Sequence, residues 1–137
     1  MAADLIVVDT IKISGRQPVT ILHALDRINM GNAGQLEQAA RTAYQKGQRN
    51  LVIDLTAVPS ITSAGLRAIL VIYKLLGSER ANMTGSAAGS GSAIQPAKSA
   101  HLKILNASPE VLNVLHIAGF DSYLEFYTDQ EEVIASY

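Results

Sequence analysis

The stretch at residues 51–70 constrains the fold more than any other part of the chain. It opens with the unbroken apolar run Leu51-Val52-Ile53, which is typical of a strand buried on both faces. From Leu66 onward the apolar residues recur at helical spacing. Between the two lies a loop of small, hydroxylated and turn-forming residues at 59–64. The stretch therefore predicts a central strand that runs into a helix, whose first backbone N–H groups are free beside Ser63.

Length and composition narrow the class of protein. The chain has 137 residues, about half of them apolar, so we expect one domain over residues 1–137. The chain has eleven Lys and Arg residues and twelve Asp and Glu residues, and no predicted element carries a basic stripe. This balance of charge argues against nucleic acid as a partner. The absence of cysteine excludes disulfides and thiolate metal sites. The first residues have neither a basic segment nor a long apolar run, so we expect no membrane insertion and a cytoplasmic protein.

The chain before the central strand predicts a hairpin and a helix. Two runs rich in β-branched residues, 5–13 and 18–25, are separated by turn-forming residues, which favours a β-hairpin. Apolar residues then recur at helical spacing over residues 32–46. Asn32 and the glutamine three residues later have the form of a capping box, and Gly47 stands where a C-terminal glycine belongs.

The chain after the central strand alternates between helices and strands. The second helix is predicted from about Ser63 to Leu76, with Gly77 as its end. Residues 78–100 are mostly Gly, Ser and Ala, and connections in compact domains usually take only about 2–6 residues, so we expect a flexible insertion there. The remaining elements are a strand, a helix capped by Ser108, a short strand and a last helix, at residues 101–105, 109–118, 123–127 and 130–136.

The order ββαβαβαβα predicts an α/β sandwich with a mixed, mostly parallel sheet of about five strands and about four helices. Loops that follow the carboxyl ends of parallel strands share one edge of such a sheet. We therefore expect the loop at 26–32 to meet the loop at 59–63. Gly65 in the first turn of a helix costs about 1 kcal/mol relative to Ala, which predicts that another group approaches the backbone there.

The residues give little support for catalysis. The three histidines have no ligand-like spacing, so we expect no metal site, and the Gly-rich segment does not join a strand to a helix, so we expect no nucleotide or other cofactor. Ser63 is not inside a G-x-S-x-G motif. Asp54 or Asp26 as the base of a small enzyme is the alternative from another class, although an Asp that ends a strand is more often a turn or cap residue. For Ser63, a plain helix cap is the alternative.

The residues around the junction resemble those of STAS domains, the anti-sigma factor antagonist family. Residues 54–66 read DLTAVPSITSAGL, beside the family pattern D-L-S-x-V-x-x-I-D-S-[SA]-G-L. Residues 26–36 are similar to the family's G-R-L-D…N-A-x-x-L stretch, and residues 102–119 to its later strand and helix. The resemblance spans most of residues 19–133 apart from the insertion, and it implies the STAS-like sandwich.

The resemblance also implies a function. In that family the serine that opens the second helix, here Ser63 by position, is phosphorylated by an anti-sigma factor that is also an ATP-dependent serine kinase. A PP2C-type phosphatase reverses the reaction. The unmodified antagonist binds the anti-sigma factor and frees the sigma factor. The resemblance thus implies a regulatory protein without enzymatic activity or cofactor, which acts by partner switching.

The chain departs from the family pattern at three positions of this region. Thr62 and Asn29 replace acids, and Asp26 replaces a glycine. Thr62 is therefore an alternative acceptor, and an unphosphorylated STAS subunit of a transporter or stress-signalling complex is an alternative function. For Arg67 and Lys74, a solvated face is the alternative to partner contact. The residues expected to bind the partner are Asp26, Asn29, Asn32, Thr62, Ser63, Ala64, Gly65, Leu66, Arg67 and Lys74.

Overall fold

Five strands form one sheet, and their order across the sheet is their order along the chain. The computed structural model describes residues 5–83 and 99–137. The first two strands pair antiparallel and every later neighbour pairs parallel. The mixed, mostly parallel sheet predicted from the sequence is therefore confirmed. The strands are β1 (Ile6–Ile11), β2 (Val19–Ala24), β3 (Asn50–Asp54), β4 (Leu102–Leu105) and β5 (Glu125–Tyr127).

Four α-helices lie between and after these strands in the described residues, and a short 3₁₀ turn, Phe120–Ser122, precedes β5. The predicted order of strands and helices is thus confirmed. Ser108 caps its helix as expected, since its Oγ accepts a hydrogen bond from the Val111 N–H at 3.2 Å. The helices are α1 (Ala33–Gln45), α2 (Ser63–Met83), α3 (Pro109–Ile117) and α4 (Gln130–Ala135).

The sheet is buried on both faces, but unequally. Leu51 and Ile53 of β3 point into the main core, which α1, α2 and α3 cover. Val52 points the other way, into a smaller cluster that α4 covers with Val133. The unbroken apolar run of β3 follows from this arrangement, because each face of a central strand needs its own apolar side chains.

The predicted end of the second helix was wrong. Gly77 was expected to stop α2, but the helix continues to Met83. Gly77 is not among the described glycines with a positive φ, so it lacks the left-handed conformation of a terminating glycine. An isolated glycine costs a helix only about 1 kcal/mol and does not end it by itself. The expected start of the insertion at residue 78 was therefore wrong as well, and residues 84–98 of that insertion lie outside the described part of the chain.

Candidate functional site

The loop after β2 and the loop before α2 are joined by a short parallel bridge. The Ile28 N–H donates to the Ser60 carbonyl at 3.1 Å, and the Thr62 N–H donates to the Ile28 carbonyl at 2.9 Å. Both Ile28 and Ile61 are buried beneath the bridge. The expectation that these two loops meet is confirmed.

Gly65 allows α2 to begin tight against this bridge. A Cβ atom at position 65 would lie 2.5 Å from Cγ1 of Ile61 and 2.8 Å from Cγ2 of Ile28. Such distances are far below van der Waals contact, so only glycine fits without displacing the bridge. The close approach predicted from the sequence is therefore confirmed, and the approaching groups are the two isoleucines.

Ser63 is the first residue of α2 and is exposed, as is Thr62 before it. The Ser63 hydroxyl has no hydrogen bond to any residue in the two described segments, so the alternative in which it serves only as a cap has no bond to support it. The bridge places Ser63 close to the loop that carries Asn29. An accessible hydroxyl thus stands where two loops and a helix N-terminus converge.

Asparagine side chains hold the loop at 26–32. The Asn32 side chain accepts a hydrogen bond from the Asn29 N–H at 2.9 Å and donates one to the Arg27 carbonyl at 2.8 Å, and the Asn29 side chain accepts one from the Gly31 N–H at 2.9 Å. The expected capping box was wrong, since Asn32 makes no side-chain bond to its own helix. Gln35 instead accepts from the Leu5 N–H at 2.7 Å.

A groove of about 580 Å³ runs along the exposed side of α2 from Ser63, and we call it the α2 groove. Its described floor and walls are mostly apolar or aromatic, and among the described residues its lining contains two cations and no acid. Arg67 and Lys74, both exposed, are those two cations. The far wall comes from the segment that follows α3. The lining residues are Ser63, Leu66, Arg67, Leu70, Tyr73, Lys74, Ala118, Phe120 and Tyr123.

The residues predicted for the partner surface lie together, but they differ in exposure. Asp26, Thr62 and Ser63 are exposed with the two cations of the groove, and the loop asparagines are half-buried. Ala64 and Leu66 are half-buried, and Gly65 is buried against the bridge. Gly65 therefore shapes this surface from below, where no partner atom could reach it.

Sequence reasoning missed apolar residues at this surface. Met30, at the tip of the loop at 26–32, is 86 % exposed, and Ile117, beside the far wall of the groove, is 76 % exposed. Met30 could have been found from the sequence, because an apolar residue between an asparagine and a glycine in a loop is expected to be exposed. Phe120 and Tyr123 carried no such signal, because their place opposite α2 depends on the packing of the whole sheet.

The two acids of the enzyme alternative lie in separate local networks. Asp54 Oδ2 lies 2.6 Å from Nδ1 of His23, and its Oδ1 accepts from the N–H of Thr56 at 3.0 Å and from the Thr56 hydroxyl at 2.5 Å. Asp26 is exposed and accepts from the N–H of Arg27 at 2.7 Å. Both acids thus act as turn or pairing residues, and neither lines the α2 groove.

The family model for the STAS domain matches residues 10–84, more than half of the chain. The chain belongs to the STAS domain family. The chain is also similar to BtrV of Bordetella bronchiseptica, a candidate anti-sigma factor antagonist. The two are 27% identical over 110 residues, which cover 80% of this chain and 78% of BtrV.

Solved structures share the STAS fold of this chain. An anti-sigma factor antagonist from Mycobacterium paratuberculosis superposes with a TM-score of 0.69 at 23% identity, covering 98% of this chain and 96% of that one. The phosphorylated form of SpoIIAA, a Bacillus cell fate determinant, superposes with a TM-score of 0.57 at 15% identity, covering 94% and 97%. Within residues 5–83 and 99–137, no helix is long and apolar enough to cross a membrane.

Proposed function

We propose that this STAS domain is an anti-sigma factor antagonist whose binding to an anti-sigma factor is controlled by phosphorylation of Ser63. The observation that carries the proposal is the position of Ser63, exposed at the start of α2 between the bridged loops and the α2 groove. The proposal is also supported by the similarity of the chain to BtrV and by the phosphorylated form of SpoIIAA, which has the same fold. The anti-sigma factor acts as the serine kinase, and a PP2C-type phosphatase restores the hydroxyl.

The proposed docking surface consists of the loop at 26–32, the turn at 62–66 and the α2 groove. Met30 at the loop and Leu70 in the groove supply apolar contact, while Arg67 and Lys74 supply the charge. Interfaces of this kind combine a few apolar anchors with a polar rim. Because the charges in the groove are positive, the partner segment that lies there carries carboxylates.

Phosphorylation would switch this surface without unfolding the domain. A phosphate adds a charge of about −1.5 to −2. The backbone N–H groups at the start of α2 tolerate negative charge within the molecule. A partner surface fitted to a neutral hydroxyl is instead obstructed by the phosphate and repelled wherever it carries carboxylates.

The acceptor is identified by incubating the protein with ATP and a kinase-type anti-sigma factor from its own organism, followed by mass spectrometry of the peptides. We expect one phosphate, on Ser63, and none on the Ser63→Ala variant. Phosphate on Thr62 would instead assign the switch to the neighbouring hydroxyl. Tight binding without any phosphate would instead favour the unphosphorylated interaction module. That alternative is supported by Thr62 and Asn29, which stand where the family pattern has acids.

The effect of charge on binding is tested with Ser63→Asp. We expect the affinity for the anti-sigma factor to fall about tenfold or more, which corresponds to about 1.4 kcal/mol, as measured by titration calorimetry. Ser14→Asp, at an exposed serine between β1 and β2, adds the same charge elsewhere and should leave the affinity unchanged. A Ser63→Asp protein that binds as tightly as the wild type would contradict the proposed mechanism.

A further inference from the structure

Arg67 lies four residues after Ser63, on the same side of α2. Residues at this spacing are neighbours on a helix surface, with Cβ atoms about 5–6 Å apart. Both side chains are exposed, and both line the α2 groove. A group attached to the Ser63 hydroxyl would therefore lie within reach of the Arg67 guanidinium.

The guanidinium of Arg67 is available for such a group. It makes no ion pair with any residue of the described segments. Another helix of the protein shows what this spacing allows: in α1, Arg41 Nη2 lies 3.1 Å from Oε2 of Glu37, four residues earlier. An acid that precedes its cation by four residues is the favourable orientation on a helix. A phosphate on Ser63 would have that orientation toward Arg67.

We infer, on the basis of the proposed function, that Arg67 pairs with the phosphate on Ser63 and is thereby withdrawn from the docking surface. Phosphate and guanidinium form charge-assisted hydrogen bonds, often two in parallel. One modification then changes the surface twice, since it adds a dianion at the start of α2 and removes a cation from the groove. The partner carboxylate that Arg67 would otherwise bind is left without a counterion.

Two other cations of the surface serve as controls. Lys74 lies eleven residues from Ser63, about 16 Å along the helix axis at 1.5 Å per residue, so it lines the same groove but lies beyond the phosphate's reach. Arg27 lies in the bridged loop, and its Nε is 3.9 Å from Oδ1 of Asp26. Of these three exposed cations, Arg67 is the one placed to bind the phosphate.

The pairing is tested on the whole chain with phosphoserine incorporated genetically at position 63, so that no kinase is needed. A phosphorus NMR titration gives the second pKa of the phosphate. We expect this pKa to lie about 0.3 lower in the phosphorylated wild type than in Arg67→Gln, as an exposed pair at this spacing implies, and to be unchanged in Lys74→Gln. The Nε–H resonance of Arg67 should titrate with the same midpoint.

Equal phosphate pKa values in the wild type and Arg67→Gln would overturn the pairing. A phosphate pKa that rises only in Arg27→Gln would overturn it as well. The withdrawal from the docking surface is tested by binding: phosphorylation should weaken binding of the anti-sigma factor at least threefold less in Arg67→Gln than in the wild type. Equal losses overturn that part. If Ser63→Asp binds normally while the phosphate titration still reports Arg67, the proposed function fails and the pairing stands.

Discussion

At the scale of single residues, the junction depends on the absence of one side chain. The sequence indicated a close approach at Gly65, because glycine is unfavourable in a helix and needs a reason to stand there. The sequence did not reveal which group came close. That information lies in the bridge between Ile28 and Ile61, which joins loops more than thirty residues apart.

Gly65→Ala should destabilise the protein although alanine is the better helix former. Overpacking costs about 1–3 kcal/mol. Because the new methyl group would lie only 2.5 Å from Ile61 and 2.8 Å from Ile28, we expect a cost in the upper part of that range, above the gain in helix propensity of about 1 kcal/mol. Urea denaturation measures the difference. Gly34→Ala in α1 is the matched control, because nothing lies within 4 Å of a Cβ there, and it should be neutral or stabilising. A Gly65→Ala protein as stable as the wild type would show that the bridge can move aside.

At the scale of elements, the loop at 26–32 is built from side-chain hydrogen bonds that competed with the predicted helix cap. Asn32 could bond forward into α1 or backward into the loop, and short polar side chains form both kinds of bond. The structure shows the backward choice. Local sequence spacing could not decide between them, because the loop is fixed by its bridge to a distant segment.

Asn32→Ala should loosen this loop while leaving the sheet in place. The substitution removes the bonds to the Asn29 N–H and the Arg27 carbonyl, and each such bond is worth about 0.5–1.5 kcal/mol. We expect faster amide exchange at Asn29 and Gly31, followed by NMR, and unchanged exchange in β3. Gln38→Ala on the exposed side of α1 should leave all these rates as they are. Unchanged exchange at Asn29 in Asn32→Ala would mean that the backbone bridge alone holds the loop.

At the scale of the whole molecule, the α4 side of the sheet joins distant parts of the chain through Tyr137. Its hydroxyl lies 2.7 Å from the Leu51 carbonyl oxygen and 3.0 Å from that of His101. The buried Lys103 Nζ lies 4.4 Å from the centre of the Tyr137 ring and 3.2 Å from Oε1 of Glu125. Burial, and to a lesser degree the neighbouring Tyr127 and Glu125, raises the pKa of Tyr137.

This raised pKa predicts a loss of stability in alkaline solution. Above pH 10.0, the ordinary pKa of tyrosine, the unfolded chain loses the Tyr137 proton while the folded chain keeps it. The free energy of unfolding therefore falls as pH rises through that range and is unaffected by this group below it. Tyr137→Phe should be less stable at pH 7 by about 1 kcal/mol, but its stability should fall less steeply above pH 10, as measured by urea denaturation at each pH. Tyr123→Phe, on the other side of the sheet, is the control and should keep the wild-type slope of unfolding free energy against pH. Equal slopes above pH 10 in the wild type and Tyr137→Phe would show that Tyr137 is not the group responsible.

The sequence was sufficient for the order and type of the elements because their periodicities differ, as in the run at 51–53, and because some ends carry a clear signal, as at the Ser108 cap. It was not sufficient for the end of α2 or for the cap of α1, where the expected signals at Gly77 and Asn32 were wrong. It was also sufficient to predict that the turn at 62–66 opens α2, because these residues are contiguous. The surroundings of this turn depend on strand register and on packing across the sheet, which the sequence alone could not predict. The facing wall of the α2 groove and the His23–Asp54 pair are examples, since each joins segments that no local pattern connects.

The agreement between strand order in the sheet and strand order in the chain has a consequence for biosynthesis. Each strand that leaves the ribosome finds its neighbour on one side already made, so no strand has to be inserted between two strands that are already paired. The sheet can grow in one direction, and the turn that bears Ser63 can close onto the loop at 26–32 before β4 and β5 exist.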